Sequence, residues 1–205
     1  MRIVVLGATG ATGRHVLTVA LDRGHQVVAL ARRPEALSGM AHGRLEVRRA
    51  DVRVRDTVTS ACRDADALIS ALGNRREPAD TLSAGARAVA EATLSRVAWM
   101  GTFGAGDSRH RAGPLYDFIL RRVLGDGFAD KAAADAVVAG PRTTLFHPVM
   151  LTDRPATGEA TVVPLDVLDR SWRLMPPKVT RADVAVAMVT EIESPAYAGR
   201  TVAVY

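Results

Sequence analysis

The sequence predicts an α/β fold: a doubly wound, mainly parallel sheet with helices on both faces. Three observations carry this. Short apolar runs rich in β-branched residues recur at residues 2–6, 26–31, 45–47, 67–72, 96–100 and 143–146, as strands buried on both faces do. Helically spaced segments separate most of them, which gives the connections the length of right-handed crossovers. The first connection opens with a glycine-rich turn, Gly7-Ala8-Thr9-Gly10-Ala11-Thr12-Gly13.

Each element follows from local pattern. Residues 2–6 (RIVVL) form the first strand, and residues 14–23 place Val16, Leu17, Ala20 and Leu21 on one helical face before Gly24 ends it. Residues 26–31 make the second strand, with a short helical or loop segment from Pro34 to Leu37. Residues 45–47 lead to Asp51-Val52, and residues 55–64 read as helix. A fourth strand over 67–72 ends at Gly73. An alanine-rich helix covers 80–95, and a fifth strand 96–100. Helices are predicted over 114–124 and 128–139, separated by the Gly125-Asp126-Gly127 breaker. A sixth strand over 143–146 stops at Pro148. The remaining segment is punctuated by prolines 155, 164, 176 and 177, with a short strand near 160–163, a helix over 181–193 and a terminal strand 201–204. This tail is too small to fold alone, so a single domain over 1–205 is expected, its irregular 148–180 segment capping the ligand side of the sheet.

Composition narrows the function. At 205 residues, 48% apolar and 24% charged, the chain can bury a large core without a disulfide or metal staple. Disorder, collagen and coiled coil are excluded. No apolar stretch approaches the roughly 20 residues of a membrane span, and Arg2 with its short apolar run does not make a signal peptide. Cys62 is the sole cysteine and has no zinc spacing around it, so a cytoplasmic protein with no metal is expected. The net charge is +5, and only Lys131 and Lys178 among the 27 basic residues are lysines. The arginines are scattered and aromatics make up 4%, the opposite of a stacking, cation-clustered nucleic-acid surface. A small-molecule partner and a monomer or homodimer are expected.

The glycine turn is the most specific signal. Gly7 permits the tight turn, Gly10 removes a side chain where a diphosphate must approach the backbone, and Gly13 lets helix and strand pack closely. The helix start then offers free N–H groups and the positive end of its dipole. Gly13 is followed by Arg14 and His15 rather than Lys-Ser/Thr, which excludes a P-loop triphosphate site. Some 20 residues on, where an acidic residue would bind the ribose 2′-hydroxyl, stand Arg32 and Arg33, suited to a 2′-phosphate. NADPH is therefore expected over NADH, the alternative being two surface arginines. Asp51 could accept an adenine N–H or serve as a turn residue. Gly73 would permit close approach of ribose or diphosphate.

The GATGATG turn, Arg32-Arg33, Asp51-Val52, Leu72-Gly73 and the late VTRADVA segment (179–185) together resemble the atypical short-chain dehydrogenase/reductases, in the NAD(P)H-binding group near the NmrA-like proteins and the biliverdin-IXβ/flavin reductases. The resemblance implies a Rossmann fold, NADP(H) bound by residues 7–13, 32–33, 51–52 and 72–73, and a substrate pocket above the nicotinamide. The Tyr-x-x-x-Lys pair of the wider superfamily is missing: Leu120 and Thr201 stand four residues after Tyr116 and Tyr197. Where relatives end the fifth strand in serine, this chain has Gly101 and Thr102. Where they carry Arg-Pro after the sixth, it has His147-Pro148. Thr102, Lys131 and His147 are the candidate catalytic residues, against the alternatives of a turn residue, a surface lysine and a core histidine. Phe103 and Pro148 are candidate pocket walls.

Without a positioned tyrosine acid, an acceptor that delocalises the incoming charge suits the site better than an isolated ketone. The expectation is an NADPH-dependent reductase of a conjugated or aromatic acceptor such as a flavin or quinone. The alternatives are an NADP(H)-binding redox sensor without turnover, and an epimerase or ketoreductase with a nonstandard acid.

Overall fold

In the computed structural model, residues 1–73, 80–113, 116, 118, 122, 127–168 and 177–205 are described. Strand β1 (Arg2–Leu6) lies inside the sheet because Ile3, Val4, Val5 and Leu6 are apolar on both faces and each is at most 1% exposed. Such burial stabilises by roughly 2 kcal/mol per side chain. The further elements, in chain order, are α1 (Ala11–Asp22), β2 (Gln26–Ala31), a 3-10 turn (Pro34–Leu37), β3 (Leu45–Arg49), α2 (Arg55–Cys62), β4 (Ala67–Ser70), α3 (Thr81–Glu91), β5 (Arg96–Met100), a 3-10 turn (Gly106–Arg111), α4 (Gly127–Val138), β6 (Thr143–Pro148), β7 (Met150–Thr152), β8 (Val162–Pro164), β9 (Lys178–Thr180), α5 (Arg181–Glu193) and β10 (Thr201–Val204). The helix expected over 114–124, its breaker and Pro176 fall largely outside the described residues.

The sheet order is β3-β2-β1-β4-β5-β6-β10-β8. All described neighbours run parallel except β8, which pairs antiparallel with β10. Alternate residues of β1 feed two cores. Ile3 and Val5 pack with α1 and α5, through Leu17, Val184 and Met188. Val4 and Leu6 pack with α2, α3 and α4, through Val58, Ala86 and Ala134. Helices therefore cover both faces, and the order reverses at β1/β4, the switch point where open α/β sheets bind ligands. The fold is Rossmann-like.

Two local differences from expectation have clear causes. β4 ends at Ser70 rather than 72: the Ala71 N–H makes a last bond to the Leu6 carbonyl at 3.0 Å, and the chain then passes against Gly7. β6 runs through Pro148. Its neighbour β5 has already ended opposite Phe146, so the missing proline N–H forfeits no bond on that side. Beyond the strand ends, β7 and β9 form a separate parallel pair. Asp183 ties the loop after β7 to α5. Thr180 caps the helix by accepting from the Asp183 N–H at 3.0 Å, and the Asp183 carboxylate accepts from the backbone of Thr157 and Gly158. Burial raises that carboxyl, but these bonds and the Thr180 hydroxyl outweigh it and hold it below the ordinary aspartate range. No described helix is long and apolar enough to cross a membrane.

Candidate cofactor and active site

The glycine turn is shaped by backbone packing. Gly7 has φ +70°, and a Cβ there would stand 2.5 Å from the Ala71 carbonyl oxygen. A Cβ on Gly13 would collide with the Gly7 carbonyl oxygen and carbon. These two glycines let β1, β4 and α1 converge. Gly10 caps α1 without a side chain, and its Cβ would meet only the Gly7 oxygen at 3.2 Å. The first helical bond runs from the Arg14 N–H to the Gly10 oxygen at 3.0 Å. The N–H groups of Ala11, Thr12 and Gly13 accordingly have no acceptor within the helix. Ala8 and Thr12 are buried supports, while Thr9 and Ala11 are exposed at the tip. A bare, positively polarised helix start with side chains removed where an anion approaches fits a dinucleotide diphosphate.

Around it, Arg32 and Arg33 are exposed immediately beyond β2. Arg14, whose place in the sequence served only to exclude a P-loop, spans from α1 to donate to the Ala36 carbonyl at 2.6 Å. Asp51 acts as a turn residue at one oxygen, which accepts the Arg53 N–H at 3.0 Å. Val52 and Leu72 are half-buried and meet at Gly85, where a Cβ would lie 2.8 Å from a Leu72 methyl. At Gly73 an added Cβ would meet no described atom, so the protein's own packing does not require glycine there.

The ends of β5 and β6 are built from side chains instead. His147 is fully buried, its Nδ1 2.7 Å from the Ser108 hydroxyl. Its Nε2 is 3.1 Å from Asp135 Oδ2, close but not aligned as a hydrogen bond. Trp99 Nε1–H donates to the other Asp135 oxygen at 3.1 Å. Ser108 also accepts from the Gly104 N–H and lies 2.8 Å from the Ala105 carbonyl. Its single proton has two acceptors in reach, the carbonyl and the imidazole. Gly101 makes the room: a Cβ there would lie 2.7 Å from His147 Nε2 and 2.8 Å from Asp135 Oδ2. The absence of a side chain at Gly101 and the buried imidazole of His147 within β6 are thus sterically linked. Sequence reasoning missed Ser108 and Asp135; an aspartate inside the alanine-rich apolar face of α4 was the available signal.

Lys131 stands one helical turn before Asp135 and is buried. Burial pushes its amine below the ordinary lysine value, and Asp135 and Asp130 oppose that. Asp130 is engaged elsewhere, accepting from the Leu82 and Ser83 N–H groups at the start of α3. Thr102 is half-buried, whereas Phe103 and Pro148 are buried. Phe103 packs in the core against Tyr116, ring centroids 6.1 Å apart. Burial drives the Tyr116 phenol up to about 12, opposite to the lowering that a neighbouring lysine would produce. Among the described residues no cluster of three or more His, Cys, Asp or Glu could hold a metal ion.

A profile of NAD(P)H-binding proteins matches residues 7–195. The chain belongs to this NAD(P)H-binding family. Membership bears out the NAD(P)H-binding group to which the sequence was likened. No curated protein matches the chain significantly. Among solved structures, the family member is similar to ChuY, an anaerobilin reductase from Escherichia coli O157:H7, with TM-score 0.79, 23% identity, and 100% of this chain and 96% of that chain covered. The oxidoreductase ylbE from Lactococcus lactis gives 0.76 and 21%, covering 100% and 90%. A wide-type short-chain dehydrogenase/reductase from Veillonella parvula, in complex with NADP, gives 0.77 and 14%, covering 99% and 93%. At these identities the likeness is one of fold.

Proposed function

We propose that this NAD(P)H-binding protein is an NADPH-dependent reductase that passes hydride to a small conjugated or aromatic acceptor. The observation that carries the reading is the cationic pair Arg32 and Arg33 in the position beyond β2, beside a helix start whose glycines leave the backbone bare. An acidic residue there would repel a 2′-phosphate; two guanidiniums attract it. That an NADP complex exists for a protein of the same fold supports the reading.

NADPH, when bound, supplies a hydride from its nicotinamide ring. The chain's part is to bind and orient. The free N–H groups of Ala11, Thr12 and Gly13 take the diphosphate, and Arg32 and Arg33 the 2′-phosphate. The ends of β5 and β6 then border the nicotinamide. Thr102 offers a hydroxyl at that edge. Lys131, its amine lowered by burial, gives up a proton more readily than an exposed lysine, and His147 acts behind it through Asp135. Tyr116, raised rather than lowered, is unsuited to the tyrosine role of the wider superfamily. An acceptor whose added charge spreads over a conjugated system needs orientation more than a strong acid. Catalysis and the acceptor class stand or fall together on one experiment. Anaerobic mixing of NADPH-loaded protein with a panel of flavins and quinones should oxidise the cofactor faster than the protein-free control. Tight NADPH binding with no oxidation across the panel would overturn the reductase and favour a redox sensor.

A further inference from the structure

One guanidinium ties together the two parts of the cofactor edge. Arg14 sits in the first turn of α1, one residue beyond Gly13, and its Nη2 donates to the Ala36 carbonyl at 2.6 Å. Ala36 belongs to the one-turn helix Pro34–Leu37, which Arg33 caps. The Ala36 N–H returns to the Arg33 carbonyl at 3.1 Å. Arg14 thereby lies against the same turn that carries Arg33 and follows Arg32. A carbonyl takes one hydrogen of a guanidinium that has five, so most of the Arg14 fork is left for another acceptor.

Electrostatics indicate what that acceptor is. Among the described residues, neither Arg14 nor Arg33 makes an ion pair, although ion pairs neutralise arginines elsewhere on the surface, as at Arg23–Glu193 and Arg200–Asp166. Glu35 is the acidic residue on that turn, and among the described residues no ion pair joins it to Arg14 or Arg33. Cations that share one turn attract an anion, and a dianionic phosphate monoester matches several guanidinium forks at once. Resting on the cofactor reading above, we propose that Arg14 is a third arm of the 2′-phosphate site and a determinant of NADPH over NADH. Its carbonyl contact sets the fork against the turn before the cofactor arrives, which reduces the ordering cost of binding.

The test is titration calorimetry of the full chain with NADPH, NADH, 2′,5′-ADP and 5′-ADP, for wild type, Arg14→Ala and Arg14→Lys. Arg14→Ala should weaken NADPH and 2′,5′-ADP about tenfold, the loss of one exposed charge-assisted contact. NADH and 5′-ADP should change by less than about twofold, and Arg14→Lys should fall between. Arg14 is exposed, so both variants should fold, and unchanged thermal melts would show it. Equal weakening of phosphorylated and unphosphorylated ligands would reduce Arg14 to a clip that shapes the turn, and no change at all would remove it from the site; either result overturns the inference. Should Arg32→Ala with Arg33→Ala abolish the preference for NADPH while Arg14→Ala leaves it intact, the inference fails and the cofactor reading survives. Wild-type protein that binds neither NADPH nor 2′,5′-ADP would bring down both.

Discussion

The two halves of the sheet's carboxyl edge are built on opposite principles. At β1, β2 and β4 the edge is made by leaving side chains out: Gly7 and Gly13 let backbone meet backbone, and in the proposed reading the helix start supplies the binding groups. At β5 and β6 it is made by burying polar side chains together: His147, Ser108, Asp135, Trp99 and Lys131. The first design suits the diphosphate that every dinucleotide shares. The second draws its partners from separate segments, and they need only satisfy one another.

The contrast is put under most strain at Gly13. Gly13→Ala drives a Cβ into the Gly7 carbonyl, and the chain should lose about 3 kcal/mol or more in urea unfolding, together with cofactor binding. A loss below about 1 kcal/mol would mean the turn yields easily and the cradle is not set by packing. On the other side, Asp135→Leu strips an acceptor from Trp99 and a neighbour from His147. It should cost about 3 kcal/mol yet leave NADPH affinity within about twofold. A large loss of affinity in a folded variant would show that the two halves are coupled. The smallest effect is at Lys131. Its amine is lowered in the fold, so between that value and the ordinary lysine range the unfolded chain holds a proton that the native one lacks. Stability gains with pH across that window. Lys131→Met should remove the gain and be relatively more stable than wild type at neutral pH, an advantage that shrinks as pH climbs. A pH-independent difference in thermal melts between the two proteins would contradict the assignment.

How far each half was legible in the sequence depends on the same contrast. The cofactor side is written in neighbouring residues. A strand, seven residues of turn and a helix announce themselves within residues 2–22, and Arg32 and Arg33 sit at a set distance beyond. Helix α5 and strand β10 also fall at the expected 181–193 and 201–204, because Thr180 and Asp183 form a local cap. The substrate side was legible only at single positions. Gly101 and His147 stood out as departures, but their shared partner Asp135 lies 36 residues from Trp99, and no local pattern links them. Strands β7 and β9 have three residues each, and their pairing joins Met150 to Lys178; so short a strand carries no periodicity of its own. Phe103 is buried against Tyr116, a contact between segments that no local pattern announces.

Whether the cradle after β1, with the arginines beyond β2, selects a phosphorylated dinucleotide can be read from one titration. Calorimetry of the wild-type protein with NADPH and NADH, side by side at one ionic strength, should show saturable binding of both, with NADPH tighter by at least about tenfold. Equal affinities, a preference for NADH, or no heat with either would refute that selection.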